Sequence, residues 1–227
     1  MQRLFDIALS GFALIILSPL LIIIAIILRF TGEGEIFFLQ ERIGKNGDHI
    51  KLYKFVTMLK NSENIGAGTV TLKNDPRILP IGNLLRKTKI NELPQLLNIF
   101  FGDMSVIGPR PQTIRCFDAF PKSSQQEIIK VRPGLSGIGS IVFRDEEQMM
   151  DDASNADNFY DNVIMPYKGN LEEWYVENKS FSLYFKLIFV TAWTVFLPDS
   201  RAVWSIFNSI PKPPKELHHS LGWNDNL

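Results

Sequence analysis

The hydrophobic residues are spread unevenly along the chain, and the longest apolar run lies close to the start. Phe12 to Leu28 reads FALIILSPLLIIIAIIL, with no charged residue and only Ser18 and Pro19 interrupting it. Extended by Ile7-Ala8-Leu9, the run approaches the roughly 20 apolar residues that a helix needs to cross a bilayer. It is too long for a signal peptide and no small-residue cleavage site follows it. It is also apolar on all sides, unlike most core helices. The pattern predicts membrane insertion.

The path of this helix through the membrane stays open at this point. Pro19 removes a backbone hydrogen bond and favours a kink, and Ser18 can satisfy a carbonyl that is freed in this way. Arg3 and Arg29 flank the run at opposite ends, so the distribution of positive charge indicates no orientation. A re-entrant helix broken at Ser18-Pro19 and a kinked span both fit.

Shorter patterns predict the elements that follow. Asn46-Gly47 separates two strand-like stretches and is typical of a hairpin turn. Helices are predicted at 81–87, from Pro94 through PQLLNIFF, at 123–131, at 170–178 and at 181–197, before a loose Pro-rich tail from Pro211. LLNIFF and FKLIFVTAWTVFL are too short to span a membrane, and they suit either interfacial helices or the core of a globular domain.

Composition and charge exclude several classes of function. Lys+Arg and Asp+Glu both number 24, which argues against general nucleic-acid binding. Cys116 is the single cysteine, so the chain has neither an internal disulfide nor a cysteine-built metal site. Neither GxGxxG nor GxxxxGK[ST] occurs, and the three histidines lie in a turn and in the tail. Carboxylates and basic residues are therefore the candidate functional groups.

Several basic residues lie at turns or at the ends of elements, where loops converge on sites. Guanidinium groups pair with phosphate through two hydrogen bonds, and GPRP and RPGLSG present arginines from backbone stiffened by proline. A solvated basic surface is the alternative for each residue alone. The candidate ligands of substrate phosphate or nucleotide are Lys54, Arg77, Arg86, Arg110 and Arg132.

Glu92 is the only carboxylate between Asp75 and Asp103, and it lies just before the helix that starts near Pro94. A helix N-terminus attracts both phosphate and carboxylate groups, so Glu92 is either a residue of the helix start or part of a site. Position alone favours the first interpretation.

From Gln2 to Pro198 the chain resembles the bacterial sugar transferases, which are monotopic polyprenol-phosphate phosphoglycosyl transferases. The resemblance rests on QRLFD before the apolar run, ERIGKNG, YKFVTM, the stretch from NDPRILPIG to GPRP, VRPGLSG and WYVENKSFSL. It implies an α-rich α/β fold with a re-entrant membrane anchor and a compact catalytic domain that carries interfacial amphipathic helices. The implied limits are 1–32 for the anchor, 33–210 for the domain and 211–227 for a flexible tail.

The activity implied by the resemblance is transfer of a sugar-1-phosphate from a UDP-sugar to undecaprenyl phosphate, with release of UMP. It uses Mg²⁺ and a phosphosugar–enzyme intermediate, at the cytoplasmic face of the bacterial inner membrane, as the first membrane step in making a surface polysaccharide. Besides these substrates and membrane lipid, a homodimer or glycan-assembly proteins are candidate partners, and the sugar stays open.

Asn91-Glu92 departs from the family pattern, which usually has Asp-Glu before Leu-Pro-Gln with the Asp as nucleophile. Val56 stands where the pattern usually has Arg, and GIGSIVFRDEE is also unusual. An amide is a poor nucleophile, although its oxygen can bind Mg²⁺. In one interpretation Glu92 is the catalytic carboxylate and a metal ligand beside Asn91, with Asp145 and Glu146 as alternative carboxylates. In a second, the chain is a scaffold with little turnover, and in a third it is an unrelated membrane-surface binding protein.

Overall fold

The first element of the structure is a long apolar helix. The computed structural model describes residues 1–60, 62, 75–151, 156–197, 202–207 and 209–223. Helix α1 covers Gln2–Phe30 and continues through Pro19. The hydroxyl of Ser18 donates a 2.8 Å hydrogen bond to the carbonyl oxygen of Ile15. This is the carbonyl that lacks its usual partner because Pro19 has no N–H.

By length and composition α1 is apolar enough to cross a membrane, and only 11% of its most apolar window is buried. This agrees with the predicted membrane helix. The helical assignment is continuous over Gln2–Phe30. The re-entrant path, with a break at Ser18-Pro19, therefore stays a prediction.

The chain forms two compact units. The larger unit contains Met1–Arg3, Arg42–Ile50 and Asp103–Leu227, and the smaller unit contains Leu4–Glu41 and Lys51–Gly102. The predicted limits at residues 32 and 210 do not coincide with the limits of these units.

A hairpin confirms the turn predicted at Asn46-Gly47. Strands β1, Phe37–Ile43, and β2, His49–Phe55, pair with each other and are joined through the 3₁₀ turn Lys45–Gly47. Asn46 and Gly47 have φ values of 59° and 82°. Positive φ at two successive residues is the conformation that makes Asn-Gly favourable in such turns.

In the smaller unit, short helical elements follow the hairpin, and α1 and the first of these elements contribute residues to one core. They are helix α2, Gly82–Lys87, the 3₁₀ turn Ile90–Glu92 and helix α3, Gln95–Phe101. The hydrophobic core of this unit consists of Ile24, Leu28, Phe55, Leu79 and Leu85. Helix α3 is two-sided, because Leu96 and Ile99 are buried whereas Phe100 and Phe101 are exposed.

The larger unit is helical around one short parallel strand pair. Strand β3, Ser105–Ile107, pairs with β4, Gly134–Ser136, so that Ser105 lies opposite Gly134. Its helices are α4 Ile114–Asp118, α5 Lys122–Ile128, α6 Ile138–Val142, α7 Glu146–Asp151, α8 Ala156–Phe159, the π-helical segment Tyr160–Ile164, α9 Met165–Glu177, α10 Phe181–Phe196, α11 Ala202–Ile206 and α12 Lys215–His218. The prediction of an α-rich α/β protein is confirmed.

Helix α10 carries apolar residues on two faces, one of which is buried and the other exposed. Its buried face includes Leu183, Tyr184, Leu187 and Val190, which belong to the core of the larger unit. Its opposite face exposes four aromatic residues at intervals of four positions, namely Phe181, Phe185, Phe189 and Trp193. The prediction of a core helix is confirmed for the buried face of α10, and the interfacial placement of its exposed face stays a prediction.

Residues 211–223 differ from the loose tail predicted for 211–227, and residues 224–227 lie outside the described residues. Leu217 on α12 is fully buried and belongs to the core of the larger unit. The indole N–H of Trp204 donates a 3.2 Å hydrogen bond to the carbonyl oxygen of Leu221, and the phenol of Tyr167 donates to the carbonyl of Pro211. The Pro-rich composition suggested a mobile segment, but its few apolar side chains pack over residues 211–223.

Candidate active site

Glu92 and Lys54 lie close together in the smaller unit. Glu92 ends the 3₁₀ turn Ile90–Glu92, which follows Lys89 in the left-handed conformation at φ 58°. The ammonium nitrogen of Lys54, on β2, is 3.7 Å from Oε1 of Glu92, and both side chains are about four-fifths buried. A nearby positive charge favours the ionised carboxylate. The structure thus brings together two of the residues predicted for the site.

Asn91 presents an amide oxygen that lacks a hydrogen-bond partner. The side-chain oxygen Oδ1 of Asn91 is buried and accepts no hydrogen bond, although the residue as a whole is only half-buried. A buried polar atom without a partner costs free energy and calls for a functional or structural reason. The orphan oxygen adjoins the Glu92 carboxylate in sequence, and a ligand at this point would satisfy it.

Asn98 fixes α3 to strand β2, which carries Lys54. Its side-chain oxygen accepts a 3.0 Å hydrogen bond from the backbone N–H of Tyr53. Its amide nitrogen donates at 2.8 Å to the carbonyl of Lys51. The sequence analysis did not identify Asn98. It could have been found as a polar residue inside the otherwise apolar stretch LLNIFF.

Arg77 and Arg86 belong to the same unit and differ in burial. Arg77 is buried and forms two hydrogen bonds to Asp75, from Nε to Oδ1 at 2.8 Å and from Nη2 to Oδ2 at 2.6 Å. Its Nη1 donates to the carbonyl of Ser62. Its guanidinium is thus engaged internally. Arg86 is half-buried in the last turn of α2. Phosphate binding by either residue stays a prediction.

In the larger unit, the GPRP and RPGLSG segments lie side by side. The backbone N–H of Gly134 donates to the carbonyl of Pro109 at 2.8 Å, and that of Gly108 donates to the carbonyl of Ser136 at 2.9 Å. A Cβ atom on Gly134 would lie 2.1 Å from the nitrogen of Gly108, so this contact requires glycine. The strand pair β3–β4 therefore brings the segments that carry Arg110 and Arg132 together.

Glu146, Lys168 and Glu172 are ionisable residues that follow one another in the larger unit, with Lys168 and Glu172 in its interior. Nζ of Lys168 is 2.7 Å from Oε2 of Glu146, and the Lys168 side chain is 3% exposed. Glu172 lies one helical turn after Lys168 on α9 and is 1% exposed. Of the two alternative carboxylates, Glu146 is thus engaged in an ion pair and Asp145 is exposed. The sequence analysis did not identify Lys168 and Glu172, although their spacing of four residues is typical of a side-chain pair on one face of a helix.

Burial raises the pKa of the Glu172 carboxyl from 4.5 to about 8, and the opposing influences are the charge of Lys168 and the backbone N–H of Arg110. Neither carboxyl oxygen of Glu172 completes a hydrogen bond. The carboxyl is therefore predominantly protonated at neutral pH.

The raised pKa of Glu172 predicts a pH-dependent stability. The folded state binds this proton more tightly than the unfolded state, so the stabilisation is complete below pH 4.5 and is lost as the pH rises towards 8. Chemical denaturation should show that the free energy of unfolding falls over this range by up to about 5 kcal/mol more in the wild type than in Glu172→Gln. Glu173→Gln, the adjacent control, should retain the fall, and equal slopes in wild type and Glu172→Gln would contradict the assignment.

The side-chain oxygen atoms of Asn91 and Glu92 are suitable ligands for Mg²⁺. This ion is commonly held by one or two carboxylates together with substrate phosphates and water, rather than by a complete protein cage. Within the described residues no group of three or more His, Cys, Asp and Glu side chains could hold a metal. The orphan oxygen of Asn91 and the carboxylate of Glu92 are oxygen donors of the kind this ion prefers, so the residues present fit a shared protein–substrate site.

Comparison with known proteins gives one family and several relatives. Residues 1–198 match the family model described as bacterial sugar transferase. The chain is 38% identical over 144 residues to the UDP-glucose:undecaprenyl-phosphate glucose-1-phosphate transferase of Klebsiella pneumoniae, a match that covers 62% of this chain and 30% of that protein. It is 38% identical over 148 residues to the exopolysaccharide production protein PSS of Rhizobium leguminosarum bv. phaseoli, covering 62% and 73%. It is 32% identical over 201 residues to the uncharacterized sugar transferase EpsL of Bacillus subtilis (strain 168), covering 88% and 89%.

Proposed function

We propose, from the premise that this chain belongs to the bacterial sugar transferase family, that it transfers a sugar-1-phosphate from a UDP-sugar to undecaprenyl phosphate and releases UMP. The observation that carries the proposal within the chain is the Glu92 carboxylate held beside Lys54. The name of the Klebsiella relative states the same class of reaction, and that of the Rhizobium relative supports a role in exopolysaccharide production.

Glu92 is the nucleophile in this proposal. One of its oxygens attacks the phosphorus next to the sugar, and the bond from that phosphorus to the bridging oxygen breaks, so that UMP leaves with the bonding electrons. The sugar phosphate is then joined to Glu92, and an oxygen of undecaprenyl phosphate displaces the carboxylate in a second attack at the same phosphorus. Lys54 favours the ionised, attacking form of Glu92. Asn91 cannot serve as nucleophile because its amide carries no charge.

The pyrophosphate of the donor carries negative charge that the site must balance. Mg²⁺ bound by the amide oxygen of Asn91 and the carboxylate of Glu92 would neutralise part of it. In the larger unit, Arg110 and Arg132 carry guanidinium groups that are candidate ligands of phosphate. In this proposal Arg77 has a different role, because its ion pair with Asp75 stabilises the chain around residues 75–77.

A membrane location agrees with the lipid acceptor. Helix α1 supplies a long apolar segment, and α10 exposes Phe181, Phe185, Phe189 and Trp193 on one face. Aromatic side chains are favourable at the boundary between headgroups and acyl chains. We place the protein at the cytoplasmic face of the bacterial inner membrane, where nucleotide sugars are available.

A panel of radiolabelled UDP-sugars tests the proposal with purified full-length protein. With undecaprenyl phosphate and Mg²⁺, at least one UDP-sugar should yield UMP and lipid-linked sugar phosphate in equal amounts. Without the acceptor, release should stop at one UMP per chain because the intermediate accumulates. Turnover that appears only after Asn91→Asp would instead support the low-turnover scaffold, and release of UDP rather than UMP would contradict the proposed bond cleavage.

A further inference from the structure

Helix α9 contacts the backbone leading to Arg110 with two side chains from one face. The phenol of Tyr175 donates a 3.1 Å hydrogen bond to the carbonyl oxygen of Ile107, and this bond is buried. Glu172, three residues earlier and hence on the same face, has its carboxyl near the backbone N–H of Arg110. Tyr175 thus contacts the carbonyl group of Ile107, and Glu172 lies near the amide group of Arg110, three residues further along the segment.

The interior of the larger unit leaves the Glu172 carboxyl little room to move. A Cβ atom on Gly139 would lie only 2.3 Å from Oε1 of Glu172, so α6 closes over the carboxyl. Lys168, the neighbouring cation on α9, directs its Nζ to Glu146 at 2.7 Å. Neither oxygen of Glu172 accepts a hydrogen bond. A simple ion pair with Lys168 therefore does not account for this carboxyl.

Burying a carboxyl without a complete hydrogen bond is costly, and a residue of this kind calls for a specific reason. The Glu172 carboxyl lies near the backbone of Arg110 in GPRP, and the backbone N–H of Gly134 donates to the carbonyl of Pro109 in the same segment. The backbone that leads to Arg110 is thus hydrogen-bonded by β4 at Pro109 and by α9 at Ile107.

We propose that Glu172 is a positioning residue that, together with Tyr175, holds the backbone of the Gly108-Pro109-Arg110-Pro111 segment so that Arg110 presents its guanidinium from a fixed position. The assignment rests on the proposed function only for the identity of the ligand, a uridine diphosphate group. A fixed backbone reduces the conformational entropy lost when Arg110 binds an anion.

Amide hydrogen exchange of the full-length protein in detergent tests the positioning directly, without ligand. In Glu172→Leu, which removes the carboxyl near the Arg110 N–H but retains an apolar side chain of moderate size, peptides covering 108–112 should exchange about tenfold faster because their backbone opens locally more often. Exchange in α10 should be unchanged. Glu172→Gln, which retains an acceptor oxygen and the shape of the neutral acid, should restore slow exchange.

Two further variants make the test robust. Glu173→Gln, one residue away on α9 and bonded instead to Ser124, should leave exchange at 108–112 unchanged. Tyr175→Phe removes only the hydroxyl that contacts Ile107, and it should accelerate the same peptides even if Glu172→Leu does not fold. Exchange at 108–112 that is unchanged in both Glu172→Leu and Tyr175→Phe, or equally fast in Glu172→Gln and Glu172→Leu, would overturn the proposal.

Binding of UDP, measured by calorimetry, links positioning to the ligand. Glu172→Leu should bind UDP about tenfold more weakly with an unchanged melting temperature, and Glu172→Gln should bind like the wild type. In a turnover assay the defect of Glu172→Leu should lie mainly in KM. A wild type that releases no UMP, combined with accelerated exchange in Glu172→Leu, would count against the proposed function while supporting the positioning.

Discussion

Replacement of Glu92 by Gln should abolish UMP release, lowering the rate by about a thousandfold or more. The amide has nearly the same shape as the carboxylate but carries no negative charge with which to attack phosphorus. In the wild type, the ammonium of Lys54 at 3.7 Å favours that charge. The initial rate of UMP release at saturating UDP-sugar, with undecaprenyl phosphate present, measures the effect.

Two matched variants distinguish loss of the nucleophile from general damage. Asp145→Asn removes an exposed carboxylate of the alternative acidic segment, and its rate should stay within about twofold of the wild type. Glu92→Gln should retain the wild-type melting temperature. Normal turnover in Glu92→Gln, or loss of turnover in Asp145→Asn, would show that a carboxylate other than Glu92 is the nucleophile.

Replacement of Gly134 by Ala should unfold the larger unit or destabilise it by more than about 4 kcal/mol. The added Cβ would lie 2.1 Å from the nitrogen of Gly108 and 2.5 Å from its oxygen. These are backbone atoms of the paired strand, so no side-chain rotation relieves the overlap. Chemical denaturation measures the loss, and activity should fall with it because the segments carrying Arg110 and Arg132 separate.

Gly47→Ala is the matched control for this effect. Gly47 has φ 82° and no atom within 4 Å of an added Cβ, so alanine introduces backbone strain without a collision. The expected cost is only about 1–2 kcal/mol. Similar destabilisation by the two substitutions would show that the close approach of β3 and β4 does not govern stability.

Local signals anticipated much of the architecture. The run from Phe12 to Leu28 predicted α1, and Asn46-Gly47 predicted the hairpin because a turn with positive φ at two residues favours this pair. Ser18 was expected to satisfy a carbonyl that Pro19 leaves free, and it does so at Ile15. These features depend on residues adjacent in sequence, so a single sequence contains the information.

Other features depended on contacts between distant residues. The Pro-rich stretch after Pro211 was predicted to be loose, yet Leu217 is fully buried. Composition reports the average tendency of a segment, whereas a single apolar side chain can anchor it if a complementary surface exists elsewhere. Similarly, Arg77 was a candidate phosphate ligand, and the fold brings its guanidinium to the carbonyl oxygen of Ser62, 15 positions earlier in the chain.

The sequence by itself determined the membrane helix, the family resemblance and Glu92 as the carboxylate of KTKINELPQL, because these are properties of short segments and their order. Only the tertiary structure decided that Lys54 stands beside Glu92, that Glu146 is engaged by Lys168, and that Glu172 is buried behind Arg110. The electrostatic state of a carboxylate depends on burial and on charges within a few ångströms, and chain folding brings those charges from remote positions.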